Sequence, residues 1–349
     1  MKTALFRVDA SIQIGTGHIN RCLVLANHLR EENYNVFFIC RDYLGNLIEK
    51  IKIEAFVVWV LPCDEYISQD EDAKGSIAII ENLNKKIDIM IIDHYGLDGK
   101  WEKLLKPYVK HIMVIDDLAN RPHECSILLD QNYSTKKDRY RLFLPENCKQ
   151  LLGPRYLLIK RTLSEVRQKR KNRENKFKRF LVFMGGVDIK NATEKIIRAL
   201  LNLNFIRECV VDIIVGPSNP YQNKIKKLCD KHHFLNYHFS LPEYEKLLMQ
   251  ADLAIIAGGA FAWECCYIGL PSLVVSVAEN QEEISRDVAN VGARIYLGDI
   301  DFLEDETLHE RIMELKNEDA LLKKLIENEL RLTSSSGKNE ILNEILDLA

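Results

Sequence analysis

Apolar positions along the chain fall into short, continuous Val/Ile/Leu-rich runs separated by stretches with helical spacing. In the first half Thr3–Asp9, Val36–Cys40, Ala55–Trp59, Ile87–Ile92, His111–Ile115 and Ile127–Leu129 read as strands, and His18–Glu31, Leu44–Ile51 and Gly75–Lys86 as helices. Runs that are apolar at successive positions, rather than at alternate ones, belong to parallel strands covered on both faces. The pattern restarts near residue 180. Strands follow at Phe180–Met184, Val210–Val215, Asp252–Ala257, Pro271–Val277 and Ala293–Tyr296, with helices at Thr193–Leu203, Ala262–Ile268 and Glu282–Val291. The remaining C-terminal residues are helical and charged. Alternation of strand and crossover helix predicts an α/β protein of two Rossmann-like, doubly wound domains. The expected division is an N-terminal domain over 1–160, a basic linker over 161–179, and a C-terminal domain over 180–349 that includes the last helices.

Composition sharpens this picture in a few places. A chain of 349 residues suits two domains at about 150 residues each. With 48 basic against 51 acidic residues and a formal charge of −3, no global polycation is available for nucleic acid. The longest nearly apolar stretch, Leu253–Trp263, is about half of what a bilayer-spanning helix needs. Arg7 and Asp9 interrupt the N-terminus before a signal-peptide core forms. Nine cysteines without a Cys-x-x-Cys spacing suggest neither a disulfide framework nor a zinc site. The expectation is a cytoplasmic monomer with no membrane or nucleic-acid partner. Lys160–Arg179 carries ten Lys or Arg and two Glu, which reads as a solvated helix and linker.

Four loops after predicted strands carry residues suited to chemistry. The first runs Asp9-Ala10-Ser11-Ile12-Gln13-Ile14-Gly15-Thr16-Gly17-His18-Ile19-Asn20-Arg21. Gly15 and Gly17 allow close approach of a ligand, and the following helix start offers unpaired N–H groups for an anion. At that helix mouth the cationic form of His18 is disfavoured, which leaves an imidazole able to take a proton. Asn20 stands where a dinucleotide fingerprint needs its third glycine, so a nicotinamide cofactor is not expected. The second loop is Asp93-His94-Tyr95-Gly96, polar groups at a strand's carboxyl end. Asp116-Asp117 reads as a turn with a cap rather than a metal site, and no metal or other cofactor is expected. In the second half Met184-Gly185-Gly186-Val187-Asp188 and Gly258-Gly259-Ala260-Phe261-Ala262-Trp263-Glu264 are glycine-rich strand-to-helix turns whose N–H groups suit a diphosphate. Glu264 is placed to accept two ribose hydroxyls, and Asn280 and Gln281 offer neutral donors to a sugar or pyrophosphate.

Taken in order, Ser11-x-x-Ile14-Gly15-x-Gly17-His18-x-x-Arg21, Ile91-Ile92-Asp93-His94-Tyr95-Gly96, Leu152-Gly153-Pro154-Arg155-Tyr156, Met184-Gly185-Gly186-x-Asp188 and Val215-Gly216-x-Ser218-Asn219-Pro220 make the chain similar to the UDP-2,4-diacetamido-2,4,6-trideoxy-β-L-altropyranose hydrolases of pseudaminic acid biosynthesis. Those enzymes are related in fold to the glycosyltransferase that makes lipid II. The resemblance implies a GT-B fold, two Rossmann-like domains facing across a cleft, with UDP held mainly by the second and the sugar facing the first. It implies that water attacks the anomeric carbon, the C1–O bond breaks and UDP leaves with inversion. On this resemblance His18 is the base, Tyr95 lines the sugar, Gly258, Gly259 and Glu264 bind the nucleotide, and Gln281 closes over the pyrophosphate. Trp263 departs from the family pattern, which can carry asparagine there; indole accepts no hydrogen bond, so the sugar contact must differ.

Two other readings compete with hydrolysis of a UDP-amino sugar: a GT-B glycosyltransferase using such a donor, and a non-catalytic nucleotide-sugar binding protein. A transferase with a membrane acceptor should show a basic-apolar patch in its first half, and none is evident. The candidate substrate-binding set is Gly15, Gly17, Arg21, Asp93, His94, Gly185, Gly186, Gly258, Gly259, Trp263, Glu264, Asn280 and Gln281, beside catalytic His18 and Tyr95.

Overall fold

In the computed structural model all residues are described except 64–66, 172, 173, 175, 242, 335–337 and 349. The chain forms two compact units, one of Met1–Leu158 with Gly337–Ala349, the other of Ile159–Ser336. The first contains β1 (Thr3–Val8), α1 (Gly17–Glu31), β2 (Asn35–Arg41), α2 (Ile48–Ile53), β3 (Val57–Leu61), α3 (Gln69–Leu83), β4 (Ile87–Asp93), α4 (Gly99–Leu105), β5 (Val109–Ile115), β6 (Ile127–Asp130) and β7 (Lys149–Leu152). Its seven strands lie in the order β3-β2-β1-β4-β5-β6-β7, every pair parallel. β1 is buried along its whole length. Ala4, Phe6 and Val8 feed one apolar cluster and Leu5 the other, so the strand is covered on both faces, as its unbroken apolar run requires.

The second unit opens with α5 (Arg161–Arg170) and continues β8 (Arg179–Phe183), α6 (Ala192–Leu201), β9 (Val210–Val215), α7 (Gln222–Cys229), β10 (Leu235–Phe239), α8 (Glu245–Gln250), β11 (Leu253–Ala257), α9 (Ala260–Ile268), β12 (Ser272–Ser276), α10 (Glu282–Asn290), β13 (Ile295–Asp299), α11 (Asp305–Asn317) and α12 (Asp319–Leu332). Its six parallel strands lie in the order β10-β9-β8-β11-β12-β13. In each unit the order reverses once, between β1 and β4 and between β8 and β11. Such a switch point is where the crossover helices leave to opposite faces and a crevice opens at the carboxyl ends of the strands. Among the described residues no helix is long and apolar enough to cross a membrane.

The chain departs from the sequence expectations in several places. The basic stretch is not a solvated linker over its length: Leu163 and Val166 of α5 are buried in the second unit. Arg170 Nη1 donates to the carbonyls of Leu248 and Ala251 at 2.7 and 2.8 Å, and Arg167 Nη2 to that of Leu330 at 3.1 Å; guanidinium groups here complete helix C-termini. Residues 172, 173 and 175 of that stretch lie outside the described residues. The last helix, α13 (Lys338–Leu348), puts Ile341, Leu342 and Ile345 into the core of the first unit, not the second. Helix α3 begins six residues earlier than the apolar spacing suggests because Ser68 and Glu71 form a capping box. Asn84, left-handed at φ 47°, ends it. Ala55, also left-handed at φ 62°, delays β3 to Val57.

Candidate active site

In the first unit β1 runs into a tight loop whose conformation is set by Ser11. Its Oγ accepts the N–H groups of Gln13 and Ile14 at 3.1 and 2.9 Å, and Gly15 N–H returns to the Ser11 carbonyl at 2.8 Å. Gly15 sits at φ 82°, where a side chain is strained. A Cβ on Gly15 or on Gly17 would meet nothing within 4 Å, so open space flanks the start of α1. Beside that space, in the first turn, stands His18.

β1 and β4 pair so that Val8 lies opposite Asp93, which brings the end of β4 under the first turn of α1. His18 Nδ1 lies 2.5 Å from Asp93 Oδ1. A carboxylate only accepts, so Nδ1 carries the proton, and the lone pair is on Nε2. Arg21, one helical turn after His18, holds both oxygens of Asp93 through Nε at 2.6 Å and Nη2 at 2.7 Å. Its Nη1 reaches Asp117 Oδ2 at 2.9 Å, and the Tyr95 hydroxyl donates to Asp117 Oδ1 at 2.7 Å. The Tyr95 ring stands edge-on to the imidazole, centroids 4.5 Å apart at 84°. Burial works to raise the Asp93 carboxyl, but the charge of Arg21 and the hydrogen bonds from Arg21 and His18 outweigh it and hold it well below the usual carboxylate range. The same opposition keeps Asp117 low, with Arg21 the larger favourable charge. Burial, then the charge of Asp117, pushes the Tyr95 phenol well up. The cluster is thus a doubly held imidazole backed by two carboxylates and one guanidinium.

Several candidates take other positions than the sequence suggests. Asp93 and Arg21, expected to touch substrate, are 1% and 8% exposed and face each other; they orient His18. His94 turns toward Asp9, Nε2 to Oδ2 at 3.3 Å, while its Nδ1 accepts the Gly96 N–H at 3.0 Å. Asp116 is a turn residue: its Oδ2 accepts the N–H groups of Leu118 and Ala119 at 3.2 and 2.8 Å. Asp117, its neighbour, was legible only as half of that acidic pair, yet it joins the histidine cluster.

The second unit carries its glycine turns at β8 and β11, the two strands of its switch point. Gly185 is at φ 96°. Gly216 packs so closely on the Gly186 backbone that a Cβ would fall 2.2 Å from its carbonyl oxygen. Asp188 accepts the N–H groups of Ala192 and Thr193 at 2.7 and 3.0 Å, capping α6. After β11, Gly258 and Gly259 lead into α9. A Cβ at Gly258 would lie 2.6 Å from Ser285 Oγ and 3.2 Å from Gln281 Cβ. Gln281 Oε1 accepts the Val277 N–H at 3.0 Å, which pins that side chain beside the turn; Asn280, next to it, is exposed. Glu264 is half-buried and accepts the Tyr244 hydroxyl at 2.7 Å. Burial and then Glu264 push the Tyr244 phenol up. Tyr244 carried no signal in the sequence, since it precedes an ordinary short helix. Trp263, expected at the sugar, is 2% exposed with the Arg294 guanidinium 5.3 Å from its ring centroid; it is a core residue on the inner face of α9.

Residues 180–343 match the glycosyltransferase family 28 C-terminal domain. The chain is 30% identical over 293 residues, 83% of its length and 97% of the relative's, to the UDP-2,4-diacetamido-2,4,6-trideoxy-beta-L-altropyranose hydrolase of Campylobacter jejuni. It is 25% identical over 302 residues, 86% of its length and 85% of the relative's, to the spore coat polysaccharide biosynthesis protein SpsG of Bacillus subtilis. Among solved structures, Acinetobacter baumannii MurG superposes with a TM-score of 0.66 at 13% identity, covering 100% of this chain and 99% of that one. That likeness identifies the GT-B fold.

Proposed function

The chain belongs to the UDP-2,4-diacetamido-2,4,6-trideoxy-beta-L-altropyranose hydrolase family, and from that membership we propose that it hydrolyses a UDP-linked 2,4-diacetamido-2,4,6-trideoxy sugar to free sugar and UDP, as a cytoplasmic, monomeric enzyme of pseudaminic acid biosynthesis. The observation that carries the reading is the His18–Asp93 pair at 2.5 Å, beside open glycine positions and at the switch point of its sheet. A histidine whose Nδ1–H is fixed on a buried carboxylate presents Nε2 as a general base. Water loses a proton to His18 Nε2 as its oxygen bonds to C1; the C1–O bond breaks, and its electron pair leaves on the β-phosphate oxygen of UDP. Attack opposite the departing diphosphate inverts C1. Asp93 and Arg21 keep the imidazole in register.

UDP is a good leaving group, so the chain's remaining task is to hold the diphosphate. The turns at Gly185-Gly186 and Gly258-Gly259 supply main-chain N–H groups for it, with Gln281 beside them. Glu264, anchored by Tyr244, is the acceptor for the ribose hydroxyls. A pair of carboxylates of the glycosidase kind is not required, because UDP leaves without a general acid and His18 takes the place of the basic carboxylate. The experiment is to incubate the protein with the UDP-diacetamido sugar and no acceptor. Free sugar and UDP in equal amounts are expected; turnover only on adding an acceptor alcohol would establish a transferase. His18→Ala should keep UDP affinity within a few-fold and lower kcat at least ~100-fold.

A further inference from the structure

We propose that Asp117 is a positioning residue for this reaction: by taking the only proton of the Tyr95 hydroxyl, it makes Tyr95 a hydrogen-bond acceptor toward the sugar, so that Tyr95 selects an N–H or O–H donor of the substrate. This rests on the hydrolase reading above, and the experiment separates the two.

The geometry is a closed ring. His18 meets Asp93 at 2.5 Å, Asp93 meets Arg21 Nε at 2.6 Å, Arg21 Nη1 meets Asp117 at 2.9 Å, and Tyr95 Oη meets Asp117 at 2.7 Å. The Tyr95 ring then closes the circuit against the imidazole, 4.5 Å between centroids. Each member therefore restrains the next, and the Tyr95 ring packs perpendicular to the imidazole. Arg139 Nη2 donates to the Asp117 main-chain carbonyl at 2.8 Å, which steadies the loop after β5 from which Asp117 projects. Asp117 is held ionised against its burial by the charge of Arg21 and the hydrogen bonds from Tyr95 and Arg21, and an ionised carboxylate is an acceptor only. The direction of the Tyr95 bond follows: the phenol donates. A phenol has one proton, so toward any further partner its oxygen can only accept. A substrate group that itself only accepts, such as a carbonyl or ether oxygen, finds no donor in Tyr95; an amide N–H or a hydroxyl does find an acceptor. The Asp116-Asp117 pair thus divides its labour, one carboxylate closing the turn and the other setting the polarity of the tyrosine.

The test compares the parent with Asp117→Asn, Tyr95→Phe, the double variant, and Asp117→Glu. Each of the two single changes should lower kcat/KM about 10- to 100-fold, the scale of one hydrogen bond to a charged group. The double variant should lose no more than the worse single one, because both remove the same interaction. UDP affinity, which involves no sugar contact, should stay within about two-fold. Asp117→Glu, which keeps the carboxylate, should recover part of the rate. Independently of turnover, the near-ultraviolet phenolate titration of the parent minus that of Tyr95→Phe isolates Tyr95; it should ionise at distinctly lower pH in Asp117→Asn than in the parent. Losses that multiply in the double variant, UDP affinity falling in parallel with kcat/KM, or a Tyr95 titration indifferent to Asp117 would each overturn the proposal. A parent that binds UDP yet releases no sugar would defeat the hydrolase reading instead, and the titration would still decide whether Asp117 governs Tyr95.

Discussion

Asp93→Asn is the most exacting perturbation of the candidate site, because it changes almost no volume and removes one charge. Asparagine retains one acceptor oxygen and gains an NH2 group. If that oxygen stays on Arg21 Nε, now 2.6 Å from Oδ2, the NH2 replaces Oδ1, the oxygen that faces both His18 Nδ1 and Arg21 Nη2. The NH2 then donates to the imidazole, which forces the proton onto Nε2 and removes the lone pair that takes the water proton. A mis-set tautomer of this kind lowers kcat by about 10³- to 10⁴-fold. Stability falls as well: stripping the partner from a buried charge costs about 3–5 kcal/mol. Asp117 still faces Arg21 at 2.9 Å, so we expect the low end, about 3 kcal/mol, or roughly 6–12 °C in Tm for a unit of this size. The pH dependence has a definite sign. Asp93 is held below its unfolded value, so its contribution is present above about pH 4 and is lost as pH falls below that. The Tm gap between parent and variant should therefore narrow on acidification. Released UDP measured with saturating UDP-sugar gives kcat, calorimetry gives UDP affinity, and thermal unfolding gives the stability change. A folded Asp93→Asn protein with kcat within about ten-fold of the parent would refute the view that Asp93 sets the histidine tautomer.

The other expectations concern the second unit and one buried acid. Glu264→Ala should weaken UDP binding at least about ten-fold, since it removes the ribose acceptor and strands the Tyr244 hydroxyl, with a smaller change in kcat; titration calorimetry reads this directly. Gly216→Ala places a Cβ 2.2 Å from the Gly186 carbonyl oxygen, so the Gly185–Gly186 turn must shift; a loss of about 1–3 kcal/mol in chemical denaturation together with weaker UDP binding is expected. Asp130, pushed up to about 6 chiefly by burial and opposed by Arg139, is protonated more readily folded than unfolded. The parent should therefore lose stability relative to Asp130→Asn as pH rises from about 4 to about 7, by up to roughly 3 kcal/mol, as followed by denaturation at each pH.

What the sequence determined by itself was the scaffold and the loops that matter. Continuous apolar runs such as Ile89–Ile92 leave no polar face to expose, so they specify buried parallel strands without reference to anything distant. The glycines of the strand-to-helix turns likewise state a local backbone need. Strands β7 and β10 are not legible in the sequence because polar residues such as Lys149, Gln150 and Asn236, tolerated at a sheet edge, interrupt their apolar runs. The roles within the candidate site were a tertiary matter. Asp93 reads as a strand-end ligand until the register of β1 against β4 sets it beneath His18. Asp117 reads as a turn acid until Arg21, ninety-six residues earlier in the chain, arrives beside it. Trp263 reads as a substrate-binding position until the packing of α9 turns it to Arg294, and Ile341, Leu342 and Ile345 read as a tail of the second unit until they fill the core of the first. Hydrophobic periodicity is a property of neighbours in the chain. Which carboxylate meets which imidazole depends on loop lengths and sheet order, and those act only once the strands are laid side by side.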